Sequence, residues 1–369
     1  MSENRTRIAD QGEFRKNDVL VYLENGKVFT AWESLSIEKN LGSLAHQFSM
    51  SVNDSFNSGN QEMPLKPGVK VSVFIGDTRV LTGRIEKLSA QFTPDDRSIR
   101  ISGRSLSGDL VDCSVTGDME YAGLTIEEIA KKLVAPFGLK VFLSVTLPGP
   151  VERLAIKPGE TVFTALDRLA RIQGFTWVTT REGNIRLTQA GRFRANTELQ
   201  QSFNIKTAGV EFDDTDRFSQ YEVKGQSSGT DEFFGTSATE IQAQARDAGV
   251  KRFRPLVVVA EANLDGENAV TRAGWEASTR AGKAAAVACE VDGWRQRDGS
   301  LWDINQVTRF KCPFLGIDRD LLIAGVVHEI DNQGTRTKMS LARTDAFLAK
   351  PEFSADDDLL TGLSFDDDE

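Results

Sequence analysis

Apolar and polar residues alternate along much of the first part of the chain. Residues 45–52 place bulky apolar side chains at every second position, which is the period of a strand with one buried face. Residues 80–92 and 98–103 flank Thr93-Pro94-Asp95-Asp96, where a proline and two aspartates favour a turn. The pattern predicts antiparallel strands joined by hairpins, packed as a barrel or a sandwich.

A second hairpin, residues 323–342, repeats features of the hairpin at residues 81–103. The alignment matches Gly325 with Gly83, and a glycine inside a strand favours a bulge or a close backbone contact. Similar segments precede the two hairpins: residues 65–71 and residues 302–307. The sequence therefore predicts an internal duplication, with the two hairpins in equivalent places of two similar β-barrels.

The middle of the chain has helical periodicity instead. Thr125 and Glu128 form a capping box, and apolar residues at helical spacing follow through residues 126–134. A second helix is predicted over residues 164–172, and Gly174 suits its end. These helices alternate with short strand patterns, so this region is predicted to be a small α+β unit.

Strand patterns return after residue 199. Within this region, residues 225–249 are polar and predict a long loop with a short helix, and residues 269–289 are rich in alanine and predict the longest helix. The predicted fold class is α+β, mainly β, with two similar antiparallel β-barrel-like domains separated by a small α+β domain. The predicted boundaries are residues 1–113 for the first barrel, 114–198 for the α+β domain, 199–346 for the second barrel with its inserted loop and helix, and 347–369 for an acidic C-terminal tail.

Composition and charge narrow the possible functions. The chain has 369 residues and a net charge of −10, which disfavours sequence-specific nucleic-acid binding and contact with anionic membranes. No apolar run is long enough for a membrane span, so no membrane insertion is expected. The cysteines, Cys113, Cys289 and Cys312, are odd in number and widely spaced, which disfavours a disulfide framework. The tail from residue 354 on is expected to be dispensable for folding, because its few apolar residues cannot offset the entropy of ordering it.

The sequence offers little catalytic chemistry. His46 and His328 are its two histidines, and neither has a distinctively placed acid, as a catalytic triad would need. Grouped cysteines or histidines for zinc are lacking, and residues 103–108 (GRSLSG) lack the lysine of a phosphate-binding loop. We therefore predict no enzyme activity and no catalytic, cofactor-binding or metal-binding residues, with both histidines structural or on the surface.

Residues 157–163 (KPGETVF) are similar to the opening of LysM modules, which bind peptidoglycan. A well-capped helix start explains the same residues, because Pro-Gly makes a turn and Thr161 can cap the helix that follows. A peptidoglycan-binding module and a cell-wall hydrolase with ordinary carboxylates remain alternative functions. Binding to peptidoglycan would favour the first, and release of muropeptides the second.

Several segments taken together resemble the baseplate hub proteins of contractile-tailed, Mu-like bacteriophages, the Mu P tail protein family. Their order and spacing carry the resemblance: GRSLSGDLVDCSV (residues 103–115), KPGETVFTALDRLARIQGF (157–175), Gly293-Trp294 with Gly299-Ser300-Leu301-Trp302, and residues 321–330. The resemblance implies a homotrimeric ring with two barrel-like domains per chain, giving a pseudo-six-fold arrangement. It further implies that the ring joins the tail tube to the membrane-piercing spike and contacts baseplate proteins. The expected location is the tail baseplate of the virion, after synthesis in the host cytoplasm.

Overall fold

The computed structural model of the chain describes residues 16–29, 32–53, 65–92, 97–172, 174–226, 240–259 and 266–347. Strands dominate these residues and four α-helices accompany them, so the predicted α+β, mainly β class is confirmed. Within the described ranges, no helix is both long enough and apolar enough to cross a bilayer.

Seven antiparallel strands form what we call the first β unit. They are β1 (Val19–Leu23), β2 (Val28–Phe29), β3 (Trp32–Asn40), β4 (Gln47–Asn53), β5 (Lys70–Ile75), β6 (Thr78–Phe92) and β7 (Arg97–Ser105). Their order in the sheet is β2-β1-β5-β6-β7-β4-β3. Because apolar side chains recur at every second position, Ile37, Phe48 and Val73 point into one core. The hairpin predicted around residues 93–96 is confirmed as β6 and β7, although the turn itself lies outside the described residues.

The middle unit is the predicted α+β region. Its elements are α1 (Asp109–Asp112), β8 (Glu120–Leu124), α2 (Ile126–Val134), β9 (Val141–Leu143), β10 (Val151–Ala155), α3 (Val162–Ile172), β11 (Thr176–Thr179) and β12 (Ile185–Thr188). The predicted capping box is confirmed, since the Thr125 hydroxyl accepts from the Glu128 amide and the Glu128 carboxylate accepts from the Thr125 amide. The helices α2 and α3 bury their apolar faces in one core that contains Trp177, whose indole donates to the Leu166 carbonyl.

The remaining strands and one long helix follow. They are β13 (Phe193–Arg194), β14 (Leu199–Gln200), β15 (Ile205–Phe212), β16 (Gln220–Gln226), β17 (Glu240–Arg246), β18 (Pro255–Val259), α4 (Gly266–Lys283), β19 (Ala285–Asp292), β20 (Gln306–Cys312), β21 (Ile317–Asp331) and β22 (Gly334–Ala342). We call β16–β18 with α4 the inserted module, because they interrupt the chain between β15 and β19. The other strands form the second β unit.

Two predictions for this region are wrong. The helix expected over residues 269–289 ends at Lys283, and β19 follows it, because from Ala285 on burial alternates residue by residue as in a strand. Alanine suits a helix so well that its abundance hid the change of period. The loop expected over residues 225–249 contains strand β17, which pairs with β16. Residues 227–239 lie outside the described residues.

The two β units share one sheet of fourteen strands. The edge strand β3 of the first unit pairs with β21 of the second, which gives the order β15-β19-β22-β21-β3-β4-β7-β6-β5-β1-β2, and β20 also pairs with β21. The described strands therefore do not close the two barrels that the sequence predicts. Instead, the edge of β3, which closure of the first barrel would have paired within its own unit, pairs with β21 of the second unit.

The two units repeat one strand order. The first contains β3-β4-β7-β6-β5, and the second contains β15-β19-β22-β21-β20. Bulges fall in the same places: one extra residue in β3 after Trp32 and in β15 after Ile205, and one in β6 after Ile85 and in β21 after Ile323. Bulges are local irregularities of a ladder, so two shared positions relate the strands residue by residue.

The segments that precede the two hairpins are also alike. Gly68 has a φ of 89° and its amide donates to the Ile85 carbonyl at 2.7 Å. Asn305 has a φ of 64° and its amide donates to the Ile323 carbonyl at 2.9 Å. Leu65 and Trp302, at the start of these segments, are both buried in the core of their own unit.

The bulges correct the alignment made from the sequence. They make Ile85 equivalent to Ile323, whereas matching Gly83 with Gly325 would make Ile85 equivalent to Val327. The expected close backbone contact at Gly83 is confirmed, because a Cβ there would overlap the Arg104 carbonyl oxygen. The glycine thus reflects a local contact rather than the repeat.

Candidate assembly surfaces

The two β units meet at what we call the internal junction, where β3 runs antiparallel to β21. The register places Asn40 opposite Gly325, Lys39 opposite Val326 and Ile37 opposite His328. The Leu41 amide extends the ladder by donating to the Ala324 carbonyl at 2.8 Å. Main-chain hydrogen bonds therefore hold the units together along these two strands.

A connection of the second β unit also inserts into the first. Trp294 and Leu301, which lie between β19 and β20, belong to the apolar core of the first unit. The Trp294 indole donates to the Glu329 and Arg336 carbonyls at 3.0 and 3.1 Å. The guanidinium of Arg295 donates to the Ile75 carbonyl at 3.1 Å. The two units consequently share part of one core.

Polar side chains are buried at the internal junction. The Lys39 ammonium lies 3.1 Å from Asp303, and the Arg181 guanidinium lies 3.2 Å from the same carboxylate. His46 and His328 are buried beside them, with 4% and 0% of their surface exposed. Since Lys39 comes from the first β unit, Asp303 from the second and Arg181 from the middle unit, this polar cluster connects all three.

Burial and charge set the protonation of the polar cluster. Burial, and after it the charge of the neighbouring Lys39, lowers the pKa of His46 and of His328 to about 3. Burial alone would raise the pKa of Asp303, but Lys39 and Arg181 outweigh it and the pKa lies well below its usual range. At neutral pH Asp303 is thus ionised beside Lys39 and Arg181, and the two neighbouring imidazoles are neutral.

The arrangement of the two histidines does not resemble a catalytic site. Neither ring nitrogen of His328 has a hydrogen-bond partner among the described residues, and the same holds for Nε2 of His46. In a Ser-His-Asp triad an acid is hydrogen-bonded to the histidine and orients its ring. The His328 ring instead packs edge-on against Trp294, with centroids 6.5 Å apart. In the described ranges, no three His, Cys, Asp or Glu side chains are grouped as metal ligands.

The LysM-like residues form a helix start. The Thr164 amide donates to the Thr161 hydroxyl at 3.2 Å, so the expected cap is confirmed. Glu160 is largely buried, accepts from the Lys157 amide at 2.9 Å and pairs with Arg168 at 3.0 Å. The polar residues of this stretch are therefore occupied in fixing the beginning of α3.

Two strand edges have no partner among the described strands, although the equivalent edges of the other β unit are paired with each other. No described strand pairs with the outer edge of β15, the last strand of the sheet at the second unit. In β6, residues 87–91 pair with β7 on one side, and no described strand pairs with their other side, beyond the end of β5. Unpaired backbone donors and acceptors are templates for another strand. Sequence reasoning did not find these edges, because strand order is set by contacts distant in sequence.

Comparison with known proteins gives the family. The models described as Mu phage baseplate assembly protein GpP-like, N-terminal, Baseplate hub protein gp44-like, second domain, Tail protein NMB1110-like, third domain, and Mu phage baseplate assembly protein GpP, fourth domain, match residues 19–105, 107–189, 217–274 and 266–350. The baseplate hub protein gp44 of Escherichia phage Mu is 32% identical over 341 residues, covering 89% of this chain and 88% of that protein.

Two solved structures are similar along most of their length. The 43 kDa tail protein of prophage MuSo2 from Shewanella oneidensis is 30% identical, with a TM-score of 0.80 over 89% of this chain and 99% of that one. The tail protein from Neisseria meningitidis MC58 is 24% identical, with a TM-score of 0.78 over 90% of this chain and 99% of that one, and shares the fold. The chain therefore belongs to the family of Mu-like phage baseplate hub proteins, as its sequence motifs indicated.

Proposed function

We propose that this protein is the structural hub of a contractile-tail baseplate, in which three chains form a ring that joins the tail tube to the membrane-piercing spike. The observation that carries the proposal is the internal repeat, which leaves on each β unit one edge unpaired where the equivalent edge of the other unit is paired. A chain with two similar units already contains one junction of a ring. The open edges are suited to form the others.

Symmetry explains why such a chain closes into a ring. A contact between two different surfaces of identical chains repeats until it closes or forms a filament. Three chains with two similar units each place six units around one axis. One face of this ring suits a six-fold tube, and the other face would join the spike. The number three comes from the family resemblance, and the repeat supplies the approximate six-fold character.

The proposal includes a purely structural role, in the tail baseplate of the virion. The two imidazoles are buried between the β units, beside the polar cluster. The LysM-like residues are engaged in capping α3, which accounts for the motif without glycan binding. We therefore expect neither peptidoglycan binding nor cell-wall hydrolysis.

Solution mass and imaging test the proposal together. Light scattering on purified protein should give three times the 40.6 kDa chain mass, and negative-stain images should show rings. The spike protein of the same phage should co-purify with the ring. A monomer that persists at high concentration would contradict the ring. Reproducible lysis of purified cell wall, abolished by one Asp or Glu substitution, would establish the hydrolase instead.

A further inference from the structure

We propose that β15 of one chain pairs with β6 of the next chain, in the register that the chain itself uses between β3 and β21. The partner is thus a second copy of this chain, and the contact, which we call the external junction, reproduces the internal one. The inference rests on the proposed ring, and it adds the strands and residues that close it.

The shared bulges provide the equivalences. The bulges after Trp32 and Ile205 make Ile37 equivalent to Val210, and Lys39 equivalent to Phe212. The bulges after Ile85 and Ile323 make another set of pairs equivalent: Lys87 with Gly325, Leu88 with Val326, and Ala90 with His328. In each case the first residue belongs to the first β unit and the second to the second.

The register of the external junction follows directly. Lys39 lies opposite Val326 within the chain, so Phe212 is expected opposite Leu88 of the next chain. Ile37 lies opposite His328, so Val210 is expected opposite Ala90. Asn40 lies opposite Gly325, and the same register brings Asp213, the residue after Phe212, opposite Lys87.

The side chains at these positions suit a contact between chains. Phe212 is 40% exposed and Leu88 is half-buried, so pairing them removes apolar surface from water. Val210 and Ala90 form a second apolar pair, and cross-strand apolar pairs stabilise a sheet. Asp213 and Lys87 carry opposite charges, which favours this register over a slipped one. Each of the two edges also gains a ladder of main-chain hydrogen bonds.

The polar cluster distinguishes the two junctions. Its Lys39 is replaced by Phe212 at the equivalent position, and His328 is replaced by Ala90. A strand β3 placed on a neighbouring β6 would bury the Lys39 ammonium without Asp303, and an unpaired buried charge is costly. The cluster thereby favours pairing of β3 with its own chain and leaves β15 for the next.

Engineered disulfides test the register. Leu88→Cys with Phe212→Cys, in a Cys113→Ser background, places two thiols on directly opposed residues, since the native Cys289 and Cys312 are buried and Cys113 is exposed. Opposed strand residues have Cα atoms about 4.5 to 5.5 Å apart, which a disulfide can bridge. Mild oxidation should give covalent dimers and trimers on a denaturing gel without reductant.

Two further variants keep the test decisive if this pair disturbs packing. Ala90→Cys with Val210→Cys should link in the same way, whereas Gln91→Cys with Phe212→Cys is out of register and should not. Lys87→Glu alone or Asp213→Lys alone should weaken the trimer about two- to fivefold per junction, and the double reversal should restore it.

The outcomes separate this inference from the proposed ring. A protein that is trimeric by mass but links only through the out-of-register pair, or through no pair, would overturn the register while leaving the ring in place. A protein that is monomeric by mass would overturn both. Linking of both matched pairs in the trimer supports the external junction.

Discussion

The two β units share a topology but fill their cores differently. In the first unit Phe48 of β4 lies opposite Gly103 of β7, and a Cβ on Gly103 would be 2.7 Å from the Phe48 ring. At the equivalent place in the second unit Val287 lies opposite Leu341. One large and one absent side chain are exchanged for two of medium size. The same pair of positions is therefore filled in two different ways, although the strand order around it is the same.

The internal and external junctions also have different residues at equivalent positions. The internal junction contains the polar cluster of Lys39, Asp303 and Arg181 with two buried histidines. The edges that remain open carry apolar residues at the corresponding positions, Phe212 and Ala90. A junction formed within every chain can contain charges with fixed partners. A junction that forms on assembly loses its water each time two chains associate. Apolar residues in it avoid the cost of burying charges at that step.

Lys39→Met tests the difference between the two junctions and should have the largest effect on stability. The change leaves Asp303 with Arg181 as its remaining cation and removes the lysine from a site that is 4% exposed. Removing one partner of a buried pair should lower the free energy of unfolding by about 3 kcal/mol. Urea unfolding measures it. The matched control is Arg153→Met at the exposed pair with Glu120, which should cost at most about 0.5 kcal/mol. A loss for Lys39→Met as small as that of the control would show that the polar cluster contributes little to stability.

Gly103→Ala tests the difference between the two cores. A Cβ at this position would overlap the Arg84 carbonyl and crowd the Phe48 ring, so the free energy of unfolding should fall by about 2 kcal/mol. Gly325→Ala is the control in the second unit, where a Cβ would come no closer than 3.3 Å, to the Cβ of Ser340. Thermal unfolding of the two variants should rank them clearly. A Gly325→Ala loss as large as that of Gly103→Ala would contradict this account.

The buried histidines predict a pH dependence of stability. Their pKa is about 3 in the folded protein and 6.5 as the ordinary value, so the unfolded chain binds more protons between these limits. The contribution of the two neutral imidazoles to the free energy of unfolding is fully present above about pH 6.5 and is lost as pH falls towards about 3. Each histidine should reduce the free energy of unfolding by about 1 kcal/mol between about pH 6.5 and about pH 5.5.

The carboxylates do not obscure this window. Asp303, Asp112 and Asp331 have lowered pKa values in the folded protein, and their ordinary value is 3.8, so their loss of stability falls at lower pH. Urea unfolding at several pH values measures the slope. His328→Gln should remove about half of it. A free energy of unfolding that is flat across the window would show that the imidazoles are not held neutral by burial.

The smallest effect is expected from the acidic tail, which follows the second β unit and has no counterpart in the first. Removing residues 354–369 should leave Tm and solution mass nearly unchanged, because four large apolar residues among many acidic ones bury too little surface to offset the entropy of ordering. Differential scanning calorimetry and light scattering on the shortened chain would detect any loss. A large fall in either would mean that Leu359, Leu360, Leu363 and Phe365 dock on the folded body.

Local patterns in the sequence predicted local structure well. The two-residue period and the turn residues identified both long hairpins, and the capping box at Thr125 located α2. β8 and β10 were missed because each buries a single side chain, Tyr121 and Leu154, which leaves no apolar period to detect. β19 was missed because its small residues continue the composition of the helix before it.

Contacts between distant segments could not be predicted in this way. The internal junction pairs β3 with β21, and no local pattern in either strand specifies that partner. The polar cluster likewise joins Lys39, Arg181 and Asp303 from three parts of the chain. The duplication was visible in the sequence, but its alignment depended on Gly83 and Gly325, which are not equivalent. The bulges that give the correct alignment exist only in the folded ladder.

The most direct test of the account is a reconstruction of the assembled protein by electron cryomicroscopy, at a resolution that separates strands. The account predicts three chains around one axis, with β15 of each chain hydrogen-bonded to β6 of the next and Phe212 opposite Leu88. The sheet would then run without interruption through all six β units. A ring in which the outer edge of β15 faces solvent, or in which β3 pairs with a neighbouring chain, would contradict it.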